Sequence, residues 1–507
     1  MVSSIVELLA CADADATALL APGRPTLSYS ALRLQVETTL SQLNALGIGR
    51  NQSVAIVLPN GPEMASAFVC IAAGATTAPL NPAYSQDEFE FYLQDLQAQL
   101  LVVQADDETP ARAAAEKLGI AVANLVYSAT DPAGVFTLAG GPSSASSAIE
   151  ECGYAQADDF ALVLHTSGTT SRPKIVPLSQ ENVCASAVNV AASIELVPED
   201  CCLNVMPLFH IHGLIAAVLA SLSAGASIVC TPGFNALKFF ALLEEYSPSW
   251  YTAVPTMHQA VLGRASRNKA IIKKADLRLI RSSSASLPPQ VMSELENTFS
   301  APVIEAYGMT EAAHQMACNP LPPRERKPGT VGVAAGPEVA VMDVAGELLA
   351  VGEIGEVVIR GPNVTGGYRN NDEANATAFS GGWFRTGDQG VLDDDGYLRL
   401  TGRLKEIINR GGEKISPREV DEVILDHPFV AQVVTFAVPH DKLGEDVAAA
   451  VVLEEGADIR EAEVRDFVAE RLVDFKVPRK ILFLEEIPKG ATGKLQRIGL
   501  AEKLGLA

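Results

Sequence analysis

The sequence predicts an α/β fold: a large N-terminal domain of helix-covered mixed sheets with a small β-subdomain, followed by a small mobile α+β C-terminal domain. Three observations predict it. From about residue 50 to 310, short β-branched runs alternate with helical patterns, an order that implies parallel sheets covered by helices. From 329 to 400 the runs shorten and are divided by Gly, Pro and Asn turns, as in an antiparallel β-subdomain. After Gly402 a third pattern of helix, two strands and helix begins. At 507 residues the chain is too long for one compact core. The expected division is 1–402, with the β-subdomain at about 325–400, and 403–507.

Each element follows from its local pattern. Segments 53–57 and 100–103 are short apolar runs that read as buried strands, and 62–73 and 85–97 carry helical spacing. Strands are expected again at 227–230, 250–253, 277–281 and 303–305, with helices at 236–246 and 289–299 between them. Segment 355–360 is a strand of the β-subdomain. In the last region the pattern predicts helices at 417–426 and 461–472 and strands at 430–438 and 447–453.

Composition narrows the function. The net charge of −23 argues against a nucleic-acid partner, because the phosphate backbone would be repelled and no basic patch offsets it. Hydrophobic residues make up 48%, enough for substantial cores, yet no apolar run is long enough to span a bilayer. The eight cysteines form no paired framework and no C-x-x-C, which fits reduced thiols. Neither a signal-like N-terminus nor a Ser-Lys-Leu ending is present, so a cytoplasmic location is expected. The sequence does not fix the oligomeric state, for which a monomer is the favoured expectation.

Four segments carry chemistry. In the first, an apolar strand at 162–164 runs through His165 into Thr166, Ser167, Gly168, Thr169 and Thr170 and then reaches Lys174. Hydroxyls, a glycine that lets backbone approach closely and a cation suit a phosphate cradle. The pattern is not a Walker A loop, and taken alone it reads equally as a flexible surface connector. The second segment, 489–497, places Lys494 on a Gly-containing loop; alone it also reads as a basic solvated tail. The third runs from Glu305 and Ala306 through Tyr307, Gly308 and Met309 to Thr310 and Glu311, at a predicted strand end where open parallel sheets bind ligands. There Tyr307 can stack on a base, Thr310 can meet a phosphate and Glu311 can hold Mg2+, although a capped turn is the plainer reading. The fourth, 383–388, ends in Asp388, suited to two ribose hydroxyls or to a tight turn beside a packed aromatic.

Together these segments resemble the adenylate-forming superfamily of acyl-CoA synthetases, 4-coumarate–CoA ligases, luciferases and peptide-synthetase adenylation domains. The resemblance spans about Leu27 to Arg497, and six motifs occur in the family's order: HTSGTTSRPK, AYGMTE, GEVVIRG, WFRTGD, GRLKEIINRGGEKISP and PKGATGKLQR. It implies an ATP-dependent acid–CoA ligase that forms an acyl-adenylate and then an acyl-CoA, using ATP, Mg2+ and CoA. It also implies residue roles: Thr166–Thr170 and Lys174 on the pyrophosphate end of ATP, with Thr166 a weaker Mg2+ ligand; Tyr307 on adenine; and Thr310 and Glu311 near the α-phosphate and Mg2+. Asp388 and Arg403 match the ribose pair, Lys494 the adenylation lysine, Lys405 the hinge, and Gly411 and Gly412 the loop used in thioester formation.

For the acid, three stretches matter: 207–213, 281–287 and 311–314. His210, Ser284 and His314 are expected to converge on the far carboxylate of a two-carbon diacid, whereas His212 is expected to pack in the wall. Donors for a second carboxylate would be left unpaired by a monoacid. Segments 282–287 (SSSASL), 310–314 (TEAAH) and 408–417 (INRGGEKISP) look most similar to oxalate–CoA ligases of plants and fungi. Medium- or long-chain fatty acid and 4-coumarate ligases are the alternative within the family, and a catalytically silent nucleotide-binding protein is the alternative outside it.

Overall fold

The computed structural model describes residues 2–141, 151–166, 173–488 and 497–506. The chain is α/β and divides into two compact units. The first comprises Met1–Pro328, Gly332–Glu338 and Ile359–Phe379, and the second Gly329–Val331, Val339–Val358 and Ser380–Ala507.

The first unit is built on two mixed sheets whose centres are parallel and whose edges are antiparallel. One has the order Val333–Ala334, His314–Cys318, Val303–Met309, Leu279–Ser283, Trp250–Ala253, Cys201–Asn204, Ser227–Cys230, Thr17–Leu20 and Leu27–Ser28. The run from Val303–Met309 to Thr17–Leu20 is parallel throughout. The other sheet centres on Ser53–Val57, Thr76–Pro79 and Leu100–Gln104 and is closed at one edge by the hairpin Phe160–Thr166 and Lys174–Ser179. Helices cover the faces because the strands are apolar on both sides. Leu203, Tyr251, Ile280 and Val303 pack with Phe239 and Leu295; Val57, Leu101 and Val103 pack with Phe89 and Leu93. Each such side chain contributes about 1.5–3 kcal/mol on burial.

Local chemistry fixes the helix starts. Ser85 accepts from the Glu88 amide while Glu88 accepts from the Ser85 amide, so the helix Gln86–Asp95 begins at a capping box. Ser179 and Asn182 start Gln180–Ser193 in the same way. Three departures from the sequence expectations bear on the site. The strand expected at 303–305 runs on through Met309, so the Ala306–Met309 motif is extended backbone rather than a loop past the strand end. Segment 383–388 is likewise part of a ten-residue strand, Trp383–Leu392, and not a tight turn. Finally, His212–Leu219 winds as a π-helix, a wide turn common at functional sites.

In the second unit, Trp383–Leu392 pairs with Leu398–Arg403 in one antiparallel sheet. A second sheet orders Glu413–Ile415, Ile408–Arg410, Gly444–Leu453 and Val430–His440, with Lys480–Phe483 parallel to Gly444–Leu453. The helices Pro417–Leu425 and Glu461–Ala469 cover its core of Ile424, Val433, Val451 and Val464. Among the described residues, no helix is long and apolar enough to cross a membrane.

Candidate active site

In an open parallel sheet the strand ends at the carboxyl edge present their residues to a common crevice. In the first unit that edge gathers Thr252, Ser284 and the turn after Met309. His212, at the start of the π-helix, meets Ser284 Oγ through Nδ1 at 3.0 Å and Thr252 Oγ1 through Nε2 at 2.6 Å. The His314 ring lies 5.1 Å from the His212 ring, centroid to centroid. His210 sits beside them, its Nδ1 accepting from the His212 amide at 3.3 Å. His212 and His314 are buried, whereas His210 and Ser284 are half-buried, so the cluster opens on their side.

The backbone is strained here. Ser284 has φ 72°, Ala313 φ 47° and His314 φ 107°, all in the region that side chains avoid. Each such residue costs on the order of 1–3 kcal/mol and persists only where its surroundings hold it. Gly308 makes the arrangement possible: a Cβ there would lie 1.7 Å from the His314 carbonyl oxygen. Asn363 Nδ2 donates to the carbonyls of Ala312 (2.8 Å) and Gln315 (2.9 Å) and clamps the turn from outside.

A second group lies on the same unit. Thr166 and Lys174 are register partners on neighbouring antiparallel strands, and Ser167, Gly168, Thr169 and Thr170 lie outside the described residues. Lys174 Nζ stands 4.2 Å from the Tyr368 ring centroid. Tyr368 donates its hydroxyl to Glu311 Oε1 at 2.8 Å. Burial, reinforced by the Glu311 carboxylate, pushes the Tyr368 hydroxyl far above its usual range, so it remains a donor. Glu311 follows Thr310 in a single 3-10 turn, and its carbonyl accepts from the Thr365 amide at 2.8 Å. Tyr307 is buried in the strand that leads there, and the Ala306 carbonyl accepts from Ser283 Oγ at 2.9 Å. The Glu305 carboxylate points back into the protein, accepting from the Leu287 amide at 3.0 Å and so bracing the Ser284 loop.

In the second unit, Asp388 Oδ1 pairs with Arg403 Nε at 3.2 Å across neighbouring strands. Asp388 is buried and Arg403 half exposed. The adjoining backbone is fixed by Thr386, which donates to the Val357 carbonyl and accepts from the Asp388 amide. Gly411 and Gly412 form the turn between Ile408–Arg410 and Glu413–Ile415, with φ of 61° and 98° that favour glycine. Lys405 is exposed. Lys494 lies outside the described residues.

Residues 9–369 match the AMP-binding enzyme family model, and residues 419–494 match that of the AMP-binding enzyme C-terminal domain. The chain belongs to the AMP-binding enzyme family. Among curated proteins, an oxalate–CoA ligase of Arabidopsis thaliana is 46% identical over 98% of this chain and 97% of its own. An oxalate–CoA ligase of Saccharomyces cerevisiae is 41% identical over 89% of this chain and 87% of its own. Among solved structures, ATP-bound MatB from Rhodopseudomonas palustris superposes with a TM-score of 0.88 at 30% identity, covering 99% of both chains.

For an AMP-binding enzyme, Glu311 fits Mg2+ on its chemistry: Mg2+ is held by one or two carboxylates together with phosphate and water oxygens, and Glu311 is one buried carboxylate oriented by a tyrosine. Sequence reading missed the oriented role of His212, which it placed in the wall, and missed Thr252 and Tyr368 altogether. A Thr at the end of a parallel strand was a signal for Thr252. Tyr368 had none, because its partner is 57 residues away.

Proposed function

We propose that this chain is an AMP-forming acid–CoA ligase whose acid is oxalate, with ATP and CoA as its other substrates. The observation that carries the reading is the polar cluster of His212, Ser284 and His314, with His210 at its rim. The second carboxylate of a diacid can accept from such polar groups, whereas a fatty or aromatic acid meets them with apolar atoms. The 46% identity to a protein named oxalate–CoA ligase supports the same acid.

In the first half-reaction one oxalate carboxylate attacks the α-phosphorus of ATP; an O–P bond forms and the bond to pyrophosphate breaks. In the second, the CoA sulfur attacks the acyl carbon, a C–S bond forms and AMP leaves. Tyr307 receives adenine, and Asp388 with Arg403 receives the ribose. Lys174 and the hydroxyls from Thr166 to Thr170 take the pyrophosphate end, and Thr310 stands at the α-phosphate. Mg2+, when bound, neutralises phosphate charge, and Glu311 with a weaker contribution from Thr166 is assigned to hold it. Lys494 is assigned to adenylation and the Gly411–Gly412 turn to thioester formation, with residues 1–402 and 403–507 as the two functional domains. The test is ATP–pyrophosphate exchange with oxalate, malonate, acetate, octanoate and coumarate. Oxalate is expected to drive exchange above all others; exchange with octanoate and none with oxalate overturns the reading.

A further inference from the structure

Arg281 is fully buried in the strand Leu279–Ser283. Its Nη2 donates to Gln315 Oε1 at 3.0 Å, while Nε and Nη1 have no acceptor among the described residues. The buried thiols of Cys318 and Cys202 lie near it, burial keeps both protonated and neutral, and among the described residues no carboxylate pairs with it. Arginines that are less deeply buried behave differently: Arg278 pairs with Asp200, Arg385 with Glu356 and Arg410 with Asp446. A guanidinium keeps its proton even where burial lowers its affinity for it, so Arg281 is a desolvated cation lacking a countercharge. Such a group is costly to fold around and calls for compensation.

Its position names the compensation. Arg281 registers with Thr252 on the next parallel strand, so the two side chains share a face at a strand spacing of about 4.8 Å. Thr252 carries the hydrogen bond to His212 Nε2. Ser284 follows Arg281 by three residues, and Gln315, which accepts from Arg281, follows His314. The cation is therefore tied to the cluster's supports by one strand pairing, with Thr252, and one hydrogen bond, to Gln315. In surroundings of low dielectric its field is weakly screened, and its pull scales with ligand charge.

We infer that Arg281 is a specificity-determining residue that favours a dianionic acid by supplying the positive field for its second carboxylate, an inference that rests on the diacid reading above. It acts through space and through the Thr252–His212 hydrogen bond. The test compares the KM for oxalate with the inhibition constant of glyoxylate, a monoanion of similar size, in wild type, Arg281→Gln and Arg281→Lys. Arg281→Gln is expected to raise the oxalate KM by about tenfold or more and the glyoxylate constant by about threefold or less, with Arg281→Lys recovering part of the difference. Gln315→Glu supplies a carboxylate to Arg281 but gives up the Nε2 bonds to Asn189, Ser193 and Ala335; that loss would weaken both acids alike, so selective weakening of oxalate is the expected result and decides the matter if Arg281→Gln does not fold. Equal weakening of both acids, or an unchanged oxalate KM, overturns the role of Arg281. Wild-type enzyme that shows no oxalate-dependent exchange overturns the diacid reading itself, and this role with it.

Discussion

Tyr368 joins Glu311 to Lys174: its hydroxyl donates to Glu311 Oε1 at 2.8 Å, and its ring face lies 4.2 Å from Lys174 Nζ. One aromatic side chain thus orients both the carboxylate assigned to Mg2+ and a cation assigned to pyrophosphate. Tyr368→Phe keeps the ring under Lys174 and removes only the donor. A hydrogen bond to a charged group contributes about 1.5–3 kcal/mol. Pyrophosphate exchange is expected to fall by about tenfold or more, half-saturation by Mg2+ to shift upward and the melting temperature to fall as the buried carboxylate loses its donor. An Mg2+ titration of the exchange rate checks this; an unchanged midpoint would remove Tyr368 from the metal assignment.

Gly308 sets a second expectation. Its missing Cβ makes room for the His314 carbonyl, and the obstacle is backbone rather than a movable side chain, at 1.7 Å. Gly308→Ala must push the Val303–Met309 and His314–Cys318 strands apart at their bulge. The expected cost is at least about 3 kcal/mol, measurable by urea unfolding. Because His314 rides on the displaced segment, the variant should also lose oxalate-dependent exchange before it loses binding of ATP.

The contrast between these residues explains what the sequence discloses. Strand–helix alternation made the sheets legible, since buried parallel strands are short apolar runs and capping serines such as Ser85 punctuate the helices. The nucleotide motifs were legible because glycines and hydroxyls cluster within a few residues. The acid site was legible only by residue type: His212 meets Thr252 and Ser284 across separations of 40 and 72 residues, and no local pattern encodes which histidine turns inward. The π-helix His212–Leu219 was hidden for a related reason, as its uniformly buried apolar residues give no period to count. Extended backbone through Tyr307 and Asp388 was misread because Gly308 and Gly387 resemble turn residues.

Acid should unfold the first unit partly through His258. This histidine is fully buried beside Tyr251, whose hydroxyl lies 3.2 Å from its Nδ1. Burial lowers its pKa from 6.5 to about 3. The unfolded chain therefore binds more protons between those values, so stability increases with pH across that window. The contribution is fully present above about pH 6.5 and is lost progressively as pH falls toward 3. His258→Gln removes the titrating group, and its unfolding free energy should depend less steeply on pH there than wild type. Urea midpoints from pH 7 to 4 supply the comparison; parallel pH profiles would show that His258 is not the responsible group.

The second unit depends on a pair at the end of the segment that carries Lys494. Arg497 Nη2 bonds Asp421 Oδ2, and Arg497 Nη1 lies 3.5 Å from Glu406 Oε2. Burial pushes the Asp421 carboxyl up, opposed by Arg497 and by the Thr435 amide, which donates to Oδ1 at 2.6 Å. Removing one partner strands the other in the protein, a loss of about 3 kcal/mol for pairs that are largely enclosed. Arg497→Ala should therefore destabilise the unit by that order, and Asp421→Asn by less, since the amide still accepts from Thr435. Replacing both, as Asp421→Leu with Arg497→Met, exchanges the ions for apolar volume and should recover most of the stability lost by Arg497→Ala alone. A double-mutant cycle on unfolding free energies checks the coupling. Strictly additive losses would mean that the helix Pro417–Leu425 and the chain at Arg497 are held together by packing and not by this charge pair.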